Sequence, residues 1–220
     1  MVSNGLDLGS IAAEREARLA SRRGGGGETA TVFEAALVNV PSDNQLVLTE
    51  AFDFARGLNY THPGLTPSAY LAHPVRVMDL VVRLFGNVNL QAAVLALLHN
   101  VYEVSRVTEV EVSERFGAEI AGAIAVLTVD RSDTSPESVA RYYAQLEASP
   151  EWVRVVKVCD KLDNLFVLGL NPDDEVRARY LADVERYLRP LAEGCVPQVV
   201  PYLDDLVADC RERGAFSLDG

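Results

Sequence analysis

Apolar residues recur at helical spacing along most of the chain, and Gly, Pro, Asn and Asp punctuate them. Asn44 to Leu58 sets Leu46, Val47, Ala51, Phe54 and Leu58 along one helix face. Asn59 to Ser68 carries two prolines and a glycine and reads as a loop. Ser68 to Phe85 is the next helix candidate. Pro74 directly follows His73, so regular helix is expected to begin near His73 and to end at Gly86 and Asn87. A central helix is expected from about Asn89 to Glu103, apolar through Leu98 and then polar at His99, Asn100 and Glu103. Four-residue spacing would place His99 and Glu103 on one face.

Thr108 and Glu111 form a capping-box pattern ahead of a short helix to Phe116, and Gly117 separates it from an apolar helix, Ala118 to Leu127. Helices are also expected at Ser138 to Glu147, from Pro150 to about Leu168, at Asp174 to Leu191, and at Val196 to Arg213. The segment after Pro150 is apolar nearly all round and should be central. No sustained two-residue alternation marks a strand, so the fold class is all-α. Ile11 to Arg23 is helix-capable, but the glycine tetrad Gly24 to Gly27 predicts a flexible arm over residues 1–27. Residues 28–220 are then expected to form one domain.

Composition narrows the function. The 220 residues are 49% apolar and 24% charged, a globular balance. A net charge of −12 disfavours nucleic acid as a partner. Three scattered cysteines, Cys159, Cys195 and Cys210, fit reduced thiols in a cytoplasmic protein. No signal peptide is evident, and no apolar run is long enough to span a bilayer.

Three polar intrusions interrupt the apolar helices: His73; the group His99, Asn100 and Glu103; and Asp160 with Lys161 and Asn164. Buried polar groups need partners. Two imidazoles, a carboxylate and an amide oxygen could form a mixed N/O metal site, or a hydrogen-bonded network without metal.

The segments Tyr70-Leu71-Ala72-His73-Pro74, Ala96 through Glu103, Phe116-Gly117 and Lys157 through Leu165 resemble, in order and spacing, motifs of the HD-domain superfamily. They are most similar to the hydrolase domain of RelA/SpoT-type alarmone enzymes and to the small stand-alone alarmone hydrolases, over about residues 46–191. The resemblance implies an HD-domain helical bundle, a divalent metal (typically manganese), and removal of pyrophosphate from the 3′ position of ppGpp. It implies metal ligation by His73, His99, Asn100 and Asp160, and catalysis by Glu103. It implies substrate contacts by Lys161, Asn164, Tyr180 and Arg131; His62, in the altered loop before His73, is a candidate contact to a different substrate.

The chain departs from that pattern. Asn100 stands where the superfamily has Asp, and Val104 replaces the second acid of a Glu-Asp pair. Asn59 to Gly64 replaces an arginine-bearing stretch. The expected function is metal-dependent hydrolysis of a nucleotide or other phosphorylated small molecule, with little activity on ppGpp. The alternatives are a degenerate binding or regulatory module, or an HD scaffold reused for other chemistry.

Overall fold

In the computed structural model, residues 8–61, 65–84, 89–130 and 132–218 are described. They form thirteen α-helices with short 3₁₀ and π turns, and no strand occurs among the described residues. None of these helices is long and apolar enough to cross a membrane.

The N-terminal helix α1 (Ile11–Arg23) begins at Ser10, whose side chain accepts a hydrogen bond from the Ala13 N–H. Helices α2 (Thr29–Leu37) and α3 (Ser42–Gly57) follow. In α3 the buried face consists of Leu48, Ala51, Phe52 and Ala55, while Leu46 is 77% exposed. The predicted face is therefore rotated. Phe52 stacks on Phe33 of α2, with ring centroids 4.2 Å apart, and that contact sets which side turns inward.

Helix α4 (Pro67–Leu84) runs without interruption through Pro74, one and a half turns earlier than predicted. Pro74 lies inside the helix, past its first turn, so the helix forgoes the bond to the Tyr70 carbonyl there, and the packing of this largely buried helix has to offset that loss. The central stretch also differs from expectation. Helix α5 (Leu90–Leu98) is capped by the Asn89 side chain and stops at His99; a separate turn of helix, α6 (Val101–Val104), follows. The His99 imidazole takes the Ala96 carbonyl at 2.7 Å, the group a continuing helix would offer to the Asn100 N–H.

Helices α7 (Glu109–Phe116), with its capping box intact, α8 (Ala118–Leu127) and α9 (Pro136–Glu147) lead to α10 (Glu151–Phe166). Helix α10 is central: Val153, Val155, Val156, Val158, Leu162 and Leu165 are almost inaccessible. Helix α11 (Asp174–Asp183) passes through a π turn at Val184–Leu188 into α12 (Arg189–Cys195), so the single helix expected there is broken next to Pro190. Helix α13 (Val200–Arg213) closes the bundle.

The expected flexible arm is, from residue 8 onward, part of the packed structure. Arg15 and Arg18 of α1 are 5% and 2% exposed. Arg18 donates to the buried Asp163 carboxylate of α10 at 2.7 Å, and its guanidinium lies 4.1 Å from the Phe166 ring centroid. Arg15 donates to the Phe166 carbonyl and pairs with Asp209 of α13. The glycine tetrad is a docked turn: Gly25 and Gly26 have positive φ, and a Cβ on Gly26 would lie 2.5 Å from the Ser68 carbonyl oxygen. Gly, rather than flexibility, is what this close approach requires.

Removing the charge of Arg18 should therefore be felt globally. Arg18→Met keeps much of the packing and removes a charge-assisted bond to a buried carboxylate, a loss of about 1.5–3 kcal/mol. For a chain of this size that lowers Tm by roughly 3–12 °C. Thermal unfolding of Arg18→Met beside Arg23→Met, an exposed position on the same helix, checks this. Equal melting of the two variants would show α1 to be only loosely held.

Candidate metal centre

Helices α4, α5 and α10 converge at one end of the bundle, and each brings a polar group. His73 enters from α4, His99 from the end of α5, and Asp160 from α10. His99 is 1% exposed and Asp160 5%. His73 Nε2 and His99 Nε2 are 3.2 Å apart. Asp160 Oδ1 lies 3.3 Å from the first and 3.6 Å from the second.

The remaining ring nitrogens assign the protons. His99 Nδ1 donates to the Ala96 carbonyl, an acceptor only. His73 Nδ1 faces Asp163 Oδ2 at 2.7 Å, so its proton belongs there too. In the neutral rings both Nε2 lone pairs then point at each other and at a carboxylate oxygen. That arrangement is repulsive with nothing between the three atoms, and a cation relieves it. These donors fit a divalent transition ion. A proton is the other cation that fits. Burial opposes protonation of His73, but hydrogen bonds and charge from Asp160 and Asp163 outweigh it and raise the pKa. Asp160 is held well below the usual carboxylate range: burial opposes, and Lys157, His73 and His99 prevail.

The groups around the cluster fix it. Lys157, 5% exposed, donates to Asp160 Oδ2 at 2.9 Å and stays charged, because the Asp160 charge outweighs its burial. Asn164 donates its amide to Asp160 Oδ1 at 2.7 Å, so this predicted substrate residue also orients a ligand. Arg76 forks onto both oxygens of Asp163 at 2.9 Å each. Sequence reading assigned no role to Lys157, Asp163 or Arg76. Their signal was available in outline, since Lys157 and Asp163 lie three residues either side of Asp160 and so share its face of α10.

The cluster opens into a cavity of about 730 Å³, large enough for a nucleotide. Asn100, Glu103, Lys161, Asn164 and Tyr180 all line it with His73 and Asp160. Asn100 borders the cavity from the turn between α5 and α6. Glu103 is on α6, not on a continuation of the His99 helix; its Oε1 accepts from the Val129 N–H at 2.9 Å. The Lys161 ammonium sits 4.5 Å from the Tyr180 ring centroid, and burial together with the Lys157 charge pushes its pKa down to about 8. The Tyr180 hydroxyl is buried without a hydrogen-bond partner among the described residues and stays protonated, its pKa raised by burial. His62 and Arg131, the other two predicted substrate residues, lie outside the described residues.

No family model matches the chain. Among curated proteins it is similar to a probable GTP pyrophosphokinase of Mycobacterium leprae, 27% identical over 198 residues, covering 85% of this chain and 25% of that protein. It is also similar to a guanosine-3′,5′-bis(diphosphate) 3′-pyrophosphohydrolase of Haemophilus influenzae, 33% identical over 115 residues, 49% of this chain and 17% of that protein. The chain thus spans a quarter or less of the length of these relatives. Among solved structures it superposes on a metazoan ortholog of SpoT, described as hydrolysing ppGpp, with a TM-score of 0.61 and 23% identity over 80% of this chain and 98% of the other. The fold is the all-α helical bundle of that structure.

The Asn100 side chain at the cavity wall is an amide and brings no charge beside the cluster. Asn100→Asp should tighten manganese binding by roughly tenfold or more, because affinity in oxygen-rich sites follows the number of charged ligands. Metal analysis after equilibrium dialysis of both proteins measures it. Equal metal content would remove position 100 from the centre.

Proposed function

We propose that this chain is a metal-dependent phosphohydrolase acting on a phosphorylated nucleotide, of the class represented by the guanosine-3′,5′-bis(diphosphate) 3′-pyrophosphohydrolases it resembles. One observation carries the reading. In a chain of net charge −12, a His-His-Asp cluster opens into a cavity lined, among the described residues, by Arg22, Arg76, Lys157 and Lys161. A positive cavity in an acidic protein selects an anionic ligand, and a phosphate ester is the anion on which HD-type chemistry acts.

His73, His99 and Asp160 would hold the ion, with Asn100 beside them and manganese as the candidate metal. A bound divalent ion supplies phosphoryl polarisation and a more acidic water. Asp163 keeps the His73 proton on Nδ1 and so leaves Nε2 as the donor atom. Asn164 and Lys157 hold the Asp160 carboxylate. Lys161 and the Tyr180 hydroxyl offer positive charge and a hydrogen-bond donor to phosphate oxygens. Glu103 is the carboxylate of the cavity wall that would accept a proton from the attacking water. The free thiols Cys159, Cys195 and Cys210 fit a reducing, cytoplasmic setting.

Val104 favours a second reading, ligand binding without turnover. It is 5% exposed and packs in the core, so no second acid stands beside Glu103 there. Turnover of ppGpp is accordingly expected to be slow.

Glu103→Gln separates the two readings. Losing a general base costs about 10²–10⁴ in rate. Wild-type protein with manganese should release pyrophosphate or phosphate from at least one member of a panel of phosphorylated guanosine and adenosine nucleotides. Glu103→Gln should lose that activity by the stated factor while melting at the same temperature. Wild-type protein that loads manganese and binds a nucleotide but releases nothing would establish the binding module instead.

A further inference from the structure

The cations of the cavity are not equivalent. Lys157 is paired with Asp160, and Arg76 is forked onto Asp163. Lys161 rests against the Tyr180 ring. Arg22, in the last turn of α1, borders the same cavity, and its guanidinium has no hydrogen bond or ion pair among the described residues. It makes no bond to Asp163. Both oxygens of that carboxylate are already taken, Oδ1 by Arg18 and Arg76, Oδ2 by His73 and Arg76. Arg22 is thus a half-buried cation crowded by another guanidinium; burial first, then the Arg76 charge, lower its pKa, and the more distant Asp163 charge only partly offsets them.

Its position is well determined. One turn earlier on the same face, Arg18 is anchored to Asp163. Immediately afterwards the glycine turn is pinned to the start of α4: Ser68 Oγ donates to the Gly25 carbonyl at 3.1 Å, and Gly26 packs against the Ser68 backbone. A cation delivered by two anchored segments, facing a cavity and making no hydrogen bond or ion pair among the described residues, is the arrangement of a binding residue rather than of a solvated surface arginine. The loop before His73, where sequence comparison looked for a phosphate-holding arginine, has none between Asn59 and Gly64.

We infer that Arg22 binds a phosphate group of the substrate, so that the N-terminal helix α1 is part of the substrate site. The inference rests on the hydrolase reading for the class of ligand, a nucleotide polyphosphate. The guanidinium takes phosphate oxygens through its paired N–H donors, and the incoming anion neutralises the crowding between Arg22 and Arg76. The residue affects binding of the ligand and leaves the metal donors untouched.

The experiment uses the full chain, freed of metal with EDTA, and inorganic pyrophosphate as the probe, titrated by calorimetry. Wild type should bind, and Arg22→Met should weaken binding by roughly tenfold or more, as expected for a lost charge-assisted contact. Arg22→Lys should retain most of the affinity. Arg23→Met, one position on and exposed, should bind as wild type does. Manganese content and melting temperature should be unchanged in Arg22→Met; if that variant melts early, Arg22→Lys and Arg22→Gln are compared instead. With a turned-over nucleotide, Arg22→Met should raise KM and spare kcat. Pyrophosphate binding that ignores Arg22, or no binding by wild type, overturns the inference. Binding through Arg22 without turnover of any nucleotide sustains it and sinks the hydrolase reading. Turnover with a KM indifferent to Arg22 does the reverse.

Discussion

Asp163 is a buried carboxylate shared by three segments of the chain. Arg18 reaches it from α1, His73 and Arg76 from α4, and Asp163 itself belongs to α10. A carboxylate at 1% exposure is tolerable only if its desolvation is offset, and here four short bonds from two guanidiniums and an imidazole offset it. Burial raises its pKa, but Arg76, Arg18 and His73 together hold it well below the ordinary range. Much else depends on this anion. It fixes the His73 tautomer, and with it which nitrogen faces His99 and Asp160. It ties α1 to the bundle, which turns a segment that composition describes as a tail into a wall of the cavity.

The same cluster explains how so acidic a protein can attract an anion. Counting the charges that line the cavity, Arg22, Arg76, Lys157 and Lys161 give +4, Glu103, Asp160 and Asp163 give −3, and a neutral His73 gives nothing, which leaves +1. Opposite signs on the exposed surface act at a distance and through salt, so they are screened over about 8 Å at physiological ionic strength. The lining charges act at contact, behind low-dielectric walls. Asn100 contributes to this balance, since an Asp there would bring the sum to zero. Under the proposed function, the neutral amide would weaken the hold on a metal and strengthen the hold on phosphate, an exchange with opposite consequences for the two ligands.

What the sequence made legible follows from range. Helix positions, the capping box at Thr108 and Glu111, and the convergence of His73, His99 and Asp160 all rest on local spacing or motif order. What it concealed depends on contacts between distant residues. The face of α3 is set by Phe52 stacking on Phe33. The end of α5 is set by an imidazole competing for a backbone carbonyl, and hydropathy carries no sign of such a competition. The docking of α1 is set by a bond from Arg18 to a residue 145 positions away. Arginine in a glycine-flanked segment reads as solvated unless its carboxylate partner is known.

The break at His99 also bears on the missing second acid. In a continuous helix, positions 99 and 103 would share a face, and position 104 would lie beside 103 at its edge. In the structure α6 is a separate turn that buries Val101 and Val104, with Glu103 left at the cavity wall. The Thr61 N–H donates to the Val104 carbonyl at 2.7 Å, which pins the end of α6 to the segment after α3. An acid at position 104 would be buried where Val104 is 5% exposed, and its desolvation would have to be met by a new partner. The loss of that acid is therefore built into the local packing rather than being a single interchangeable side chain. Under the proposed function, proton transfer would fall to Glu103, whose Oε1 is already steadied by the Val129 N–H.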